Sequence, residues 1–284
     1  MCCIAYAGRV LAMNSRPLTP PAGSVERWAY NYVTSDSLAH KFSPGDPGGQ
    51  WLDCGTPCVL EAPGRPQELT VVNRADKTPG PDALRDPARR ARLLHTFLHH
   101  ELQAAELMCH AVLVFPQAPK AFRRGLINIC LDEVRHMNMY AEHMADLGFQ
   151  YGDFPINDWF WQRVPSAHDP LSFVAVMSLG FEGANLDHTQ RFAERFVRAG
   201  DDKGARLQQQ VGEEEVPHVA FGAHWFSKLR GRLDFESWLD ALPAPLSPIL
   251  MRGKPLHAEA RLRAGMSENF LNCLQTWQPH EHSP

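Results

Sequence analysis

Leu131-Asp-Glu-Val-Arg-His136 and Glu213-Glu-Glu-Val-Pro-His218 carry one short pattern twice, a Glu followed three residues later by a His. Residues three apart share a helix face, so each stretch, if helical, offers a carboxylate and an imidazole side by side. Working outward, each pair follows a single Glu at nearly the same distance. Glu101 lies 32 residues before Glu133, and Glu182 lies 33 residues before Glu215. A helical hairpin brings residues at such separations to one height. Two helices giving one Glu each and two giving Glu-x-x-His form the ligand pattern of a dinuclear metal site inside a four-helix bundle. The expected metal ligands are therefore Glu101, Glu133, His136, Glu182, Glu215 and His218.

Local signals agree with four helices. Asp86-Pro87 and Asp169-Pro170 each place an N-cap acid before a proline at the first helical position. The predicted helices run over 87–115, 119–147, 170–199 and 202–229, with Gly148, Gly200 and Gly231 as stops. Short turns join the first two and the last two, whereas residues 149–168, with Asp158-Trp-Phe-Trp-Gln162, make a long crossover. Such a crossover returns the third helix parallel to the second, as in ferritin-like bundles. The expected fold is all-α: a ferritin-like four-helix bundle over 87–231 with two flanking segments. Residues 1–86 hold ten of the 23 prolines and read as a Pro/Gly-rich extension packing on the bundle without long helices. Residues 232–284 read as a proline-broken loop and one helix over 257–275.

Glu101 interrupts an apolar seam of Leu94, Leu98, Ala105, Met108 and Val112. An unpaired carboxylate there is strongly disfavoured, so a counter-charge is expected. Glu106 falls on another face with His99, Gln103 and His110, and reads as a group that supports the ligands from behind or as an alternative ligand. Asp187 stands to Glu182 as Glu106 does to Glu101, five residues on. Tyr140, one turn beyond His136, reads as a core tyrosine, with a role beside the metals as the alternative. His95, His99, His100, His110, His143, His188 and His224 read as surface residues or as residues that support the ligands from behind. Trp159, Phe160 and Trp161 read as core or crossover packing, with substrate lining as the lesser alternative. Gly180 and Gly183 flank Glu182, where they leave space beside the metals or allow close helix packing. Pro217 is expected to bulge the fourth helix between its two ligands.

The chain has 284 residues, 44% hydrophobic and 21% charged, with a net charge of −4, which gives no global attraction to nucleic acid or anionic membrane. The apolar start Met1–Ala12 is broken by Arg9 and too short to span a bilayer. No signal peptide is read there, and Met13 is an alternative start. Cys54, Cys58, Cys109, Cys130 and Cys273 are odd in number and scattered, as suits free thiols in a reducing cytoplasm. Cys54-x-x-x-Cys58 has no second pair to complete a zinc clip.

The stretches His99-His-Glu-Leu-Gln-Ala-Ala-Glu-Leu107, Asp132-Glu-Val-Arg-His136, Glu182-Gly-Ala-Asn-Leu-Asp187 and Glu214-Glu-Val-Pro-His218 resemble the ferritin-like domain-of-unknown-function family 455. Pro63-Gly-Arg-Pro66 and Ala260-Arg-Leu-Arg-Ala-Gly265 extend the resemblance over roughly residues 60–270. More distantly, Glu101-Leu-Gln-Ala-Ala105 is similar to the first helix of tRNA-modifying non-haem di-iron hydroxylases, which favours Glu101 over Glu106 as a ligand. Four carboxylates with only two imidazoles suit iron or manganese. The expected activity is an oxidoreductase with two Fe ions, or Fe with Mn, that activates O2 to oxidise an organic substrate, either a small molecule or RNA. An electron-donor protein is an expected partner, and a membrane is not. The alternatives are iron handling without an organic substrate, as ferroxidase, store or peroxide scavenger, and a non-catalytic bundle held by its metals.

Overall fold

Asp86 and Asp169 cap their helices as the Asp-Pro pattern requires: Asp86 accepts the backbone N–H of Ala88, and Asp169 that of Ser172. Proline can follow because its missing N–H would have had no intrahelical partner. In the computed structural model, which describes residues 19–53, 55–74 and 80–279, these caps open the first and third of four long helical segments in an all-α bundle. In chain order the helices are α1 (Val25–Thr34), α2 (Leu38–Phe42), α3 (Pro87–Val114), α4 (Lys120–Asp146), α5 (Pro170–Val176), α6 (Gly183–Arg198), α7 (Asp202–Arg230), α8 (Phe235–Ala241), α9 (Ala258–Arg263) and α10 (Glu268–Thr276). α3 packs on α4, α6 packs on α7, and α4 lies against α7. Phe97 of α3 meets Phe192 of α6 edge to face, with ring centroids 4.9 Å apart. Among the described residues no helix is long and apolar enough to cross a membrane. Met1–Ala12, Met13 and Cys54 lie outside the described residues.

The structure corrects the sequence reading at four places. The third helix is not continuous: a π-helical turn, Met177–Glu182, separates α5 from α6 and ends on Glu182. α7, by contrast, is α-helical throughout Asp202–Arg230, so the bulge expected at Pro217 does not form. Pro217 and Glu213 lie on the exposed side, where water can take up the carbonyl that loses its N–H partner. At the other end of the chain, the single helix expected over 257–275 is two, α9 and α10, turned at Gly265 with φ +94°. That left-handed conformation favours glycine. α8 also forms inside the stretch read as loop. In the N-terminal extension α1 and α2 are short, ten and five residues, as its prolines demand.

Buried charge ties both flanking segments to the bundle. Lys41 Nζ lies 2.8 Å from Glu106 Oε1, with both side chains 0% exposed, and Arg65 Nη1 reaches the same oxygen at 2.6 Å. Trp161 Nε1 donates to Glu106 Oε2 at 2.9 Å, and Arg65 also grips Asp158 of the crossover at 2.7 Å. Burial alone would raise the Glu106 carboxyl, but Arg65 and Lys41 hold it below its usual range. On the far side, Asp187 of α6 takes Arg261 Nη2 at 2.8 Å and the backbone N–H groups of Gly253 and His257, each at 2.7 Å. Glu106 and Asp187, expected beside the metals, are thus committed to cations of the flanking segments. Periodicity placed Glu106 on a different face; α1 and the segment around Arg65 cover that face.

Glu106→Gln leaves Lys41 buried without its counter-charge and is expected to destabilise the chain by about 3–5 kcal/mol, read from the urea midpoint. Glu213→Gln, which removes an exposed pair with Arg263, should leave the midpoint nearly unchanged. Equal midpoints for the two variants would contradict this account of how the extension is held.

Candidate metal centre

α4 and α7 lie side by side and turn Glu133/His136 and Glu215/His218 toward each other at one level. His136 Nδ1 is 3.2 Å from Glu133 Oε2 and 3.7 Å from Glu215 Oε1. His218 Nδ1 is 3.0 Å from Glu215 Oε2 and 3.1 Å from Glu133 Oε1. Each of these two carboxylates therefore offers one oxygen to either imidazole. Ligand atoms of Glu101, Glu133, His136 and Glu215 lie within 4.8 Å of one another, as do those of Glu133, Glu182 and His218. All six residues chosen from the sequence are brought together, Glu101 on the His136 side and Glu182 on the His218 side, and all are buried.

The electrostatics of the cluster are unbalanced. Burial, then the neighbouring Glu133 and Glu215, push the Glu101 carboxyl well above its usual range. Burial also pushes Glu182 well up, against His218, which pulls it down. Both Glu182 oxygens are buried without any hydrogen-bond partner, a condition native interiors rarely tolerate. Burial opposes charge on His136 and His218, yet Glu133 and Glu215 raise both imidazoles. Two imidazolium charges at most face four carboxylates. A set of hard oxygen donors with two imidazole nitrogens, one carboxylate bare, fits a divalent metal; these are groups that could hold one.

A second layer, which the sequence reading missed, orients the imidazoles. His136 Nε2 lies 2.9 Å from Glu214 Oε2 on α7, and His218 Nε2 lies 3.3 Å from Asp132 Oδ2 on α4. The exchange is reciprocal: each helix supplies the outer acid for the other's histidine. Arg135 Nη2 meets Asp132 Oδ1 at 3.0 Å, and its Nη1 meets Glu214. An Nε2–H held by an outer acid leaves Nδ1 free to donate its lone pair inward. The signal was present in sequence, since each outer acid immediately precedes a Glu of the pattern. Asn185 also donates to Glu215 Oε1 at 3.1 Å, whereas the Tyr140 hydroxyl is taken by Gln208 at 2.9 Å.

The cluster floors a cavity of about 520 Å³ that Glu101, Glu133, Glu182 and Glu215 all line. It reaches the surface among Arg74, Arg92, Thr96 and Leu250, all exposed. Trp159 and Phe160 line it, while Trp161 packs behind on Glu106. Gly180 and Gly183 make no room here: a Cβ on Gly180 would meet Met251 Sδ at 2.7 Å, and one on Gly183 would meet Arg261 Nη1 at 3.0 Å. They admit the C-terminal segment. Nor are most of the remaining histidines on the surface. His95, His99, His110 and His143 are buried. His99 joins Tyr151 at 2.7 Å to Asp158 at 3.2 Å, His95 accepts the N–H of Gly152, His110 accepts that of Leu60, and His143 meets Asp201. His100 and His188 line the cavity, and His224 alone of the seven is exposed.

Two outcomes test this arrangement. Asp132→Asn combined with Glu214→Gln should weaken metal binding about 10–100-fold with the helical content unchanged, by calorimetric titration with Mn(II) and circular dichroism. The second outcome concerns pH. Burial, and then nearby His99, lower His95 to about 4 and His100 to about 3; burial and then Arg191 lower His188 to about 4. Below the ordinary value of 6.5 the unfolded chain binds protons that the folded chain refuses, so this stability is lost as pH falls from 6.5 toward 4. The drop in Tm across that window should be smaller in His100→Asn/His188→Asn than in the wild type, by scanning calorimetry; an equal drop would show that these rings are not held neutral.

No solved structure matches the chain. A relative from Haemophilus influenzae, described as an uncharacterized protein, is 27% identical over 195 residues, 65% of this chain and 67% of that one. The family described as protein of unknown function (DUF455) matches residues 26–272, a span that takes in all of α1 but its first residue, the inward cluster, both outer acids and the two buried clamps. The chain belongs to that family.

Proposed function

We propose that the protein is a non-haem di-iron oxidoreductase, ferritin-like in its bundle, that activates O2 to oxidise or hydroxylate an organic substrate. The observation that carries this reading is that the carboxylate cluster is itself the floor of a cavity open to the surface. Glu133 and Glu215, which reach both imidazoles, would hold two ions together with Glu101 and His136 on one side and Glu182 and His218 on the other. Two Fe ions, or Fe with Mn, suit these donors, and when bound would supply the electrons that reduce O2 and the oxidising power turned on the substrate.

The chain's own residues do the rest. Asp132 and Glu214 hold the Nε2 protons of His218 and His136, which fixes the direction of each Nδ1 lone pair. Asn185 holds one oxygen of Glu215. Met177, Phe160 and Phe181 give the inner cavity an apolar wall that keeps bulk water from the reacting end. An iron store or ferroxidase needs no chamber of drug-like size, so the cavity favours an organic substrate over iron handling. A tRNA nucleoside is one form that substrate takes under this reading, with a reductase protein as electron donor.

The protein is purified without oxygen and its metal measured, then exposed to O2, with Glu215→Ala alongside. About two Fe per chain and an oxygen-dependent optical change are expected for the wild type, and neither for the variant. A fully folded chain that takes up no metal would sink the reading. Mineralisation far beyond that stoichiometry would select storage instead.

A further inference from the structure

Outside the cluster, two thiols meet between the helices of the first hairpin. Cys109 of α3 and Cys130 of α4 are 21 residues apart in sequence, yet their Sγ atoms lie 3.4 Å from each other and both residues are 0% exposed. Cys58 and Cys273, the other described cysteines, have no sulfur partner. Cys109 follows Glu106 by three residues and Cys130 precedes Glu133 by three. One helical turn therefore separates the pair from the acid that holds the extension, and one from an acid of the cluster. Burial, then the contact with Cys109, holds the Cys130 thiol well above its usual range. Such thiols are inert toward reagents that stay in bulk water. They react where an oxidant is small enough to come inside, and the cavity of about 520 Å³ leads inward to Glu133. From there Cys130 is about 4.5 Å away along the axis of α4.

We propose that Cys109 and Cys130 are a redox-active dithiol that reduces hydrogen peroxide and closes as a disulfide between α3 and α4. One sulfur attacks an oxygen of the peroxide: an S–O bond forms, the O–O bond breaks, and the departing hydroxide leaves with the thiol proton as water. The second sulfur then attacks the first: the S–S bond forms, the S–O bond breaks, and the hydroxyl leaves with the second thiol proton as a second water. The two sulfurs lose two electrons in all, and the peroxide gains them. A disulfide needs the sulfurs at about 2.05 Å, so each must move by only about 0.7 Å. That proximity favours the second step, and a sulfenic acid formed at either position is captured before another peroxide carries it further. Under the di-iron reading, incomplete reduction of O2 would release peroxide at the cavity floor. The dithiol does not rest on that reading, because peroxide from solvent enters by the same cavity.

The full chain is treated with a small excess of hydrogen peroxide in the presence of a metal chelator, unfolded in N-ethylmaleimide, and digested for peptide mass spectrometry. The expected product joins the Cys109 and Cys130 peptides with the loss of one hydrogen from each thiol, and dithiothreitol undoes it after unfolding. Oxidised glutathione at the same concentration, too large for the interior, should form the link about tenfold more slowly or less. In Cys130→Ser the link is lost and dimedone traps Cys109 as a sulfenic acid; Cys109→Ser gives the mirror result at Cys130. The wild-type digest decides the matter even where a variant fails to fold. Three results would each overturn the proposal: both thiols still open to N-ethylmaleimide after the half-buried Cys273 has been oxidised, oxidation of either thiol past sulfenic acid without the link, or equal rates with the two oxidants. Metal content is measured on parallel samples without chelator. A chain that forms the link but takes up no metal loses the dinuclear reading and keeps the dithiol; metal uptake without the link does the reverse.

Discussion

Glu101, Glu133, Glu182 and Glu215 are buried together inside the bundle, and like charges so placed repel more strongly than they would in water. The group does not resolve this evenly. Glu133 stays ionised against His136 and His218, while Glu101 and Glu182 are driven toward their neutral acids. The imbalance is a property of the fold, because the four residues sit in helix interiors whose backbone hydrogen bonds prevent any of them from backing away. Much of the surrounding structure acts as restraint on helices that would otherwise move apart.

The restraint has a repeating form. α3 carries Glu101 inward and Glu106 five residues on; the third helical segment carries Glu182 inward and Asp187 five residues on. Five residues of α-helix turn a side chain by about 140° from the first and carry it about 7.5 Å along the axis, so one helix can face the cluster and hold a flanking segment on another side. Glu106 holds the N-terminal extension through Lys41 and Arg65, and Asp187 holds the C-terminal segment through Arg261. The two segments differ in sequence and shape, yet each ends in a buried cation on an equivalent acid. Arg135 has no such counterpart, and needs none. One guanidinium between α4 and α7 reaches both outer acids, and the equivalent position on α7 is the exposed Pro217.

The helices and the inward residues were legible because they obey local rules: Asp-Pro caps, glycine stops, and ligands three apart on a 3.6-residue helix. What the sequence concealed depends on contacts from remote segments. Nothing in Met177–Glu182 announces a π turn; Gly222 of α7, where a Cβ would come 2.5 Å from Ser178 Cβ, shows how tightly that turn is pressed. Seven histidines read in the sequence as surface residues or supports of the ligands because position along the bundle helices does not reveal the extension and crossover that bury His95, His99 and His110. Pro217 misled in the opposite sense: the rule for proline in a helix is local, but its consequence depends on whether water can reach the freed carbonyl. Asp132 and Glu214 each directly precede a Glu of the Glu-x-x-His pattern, and only the packing of α4 on α7 shows that each serves the opposite histidine.

The cavity follows from the same asymmetry. On the α4 and α7 side the cluster is closed by the outer acids and by Tyr140 with Gln208, all of them hydrogen-bonded. On the α3 and α6 side no comparable acid layer exists among the described residues; the long crossover lies over that side and contributes Trp159 and Phe160, with Phe181 of the π turn beside them. Aromatic rings can cover a polar cluster without satisfying it, which is why the Glu182 oxygens remain bare beneath them. A bundle built only to bury its acids would have placed hydrogen-bond donors on this face. An open, apolar, one-sided approach to unneutralised carboxylates is instead the arrangement in which a metal and an organic molecule can occupy adjoining space.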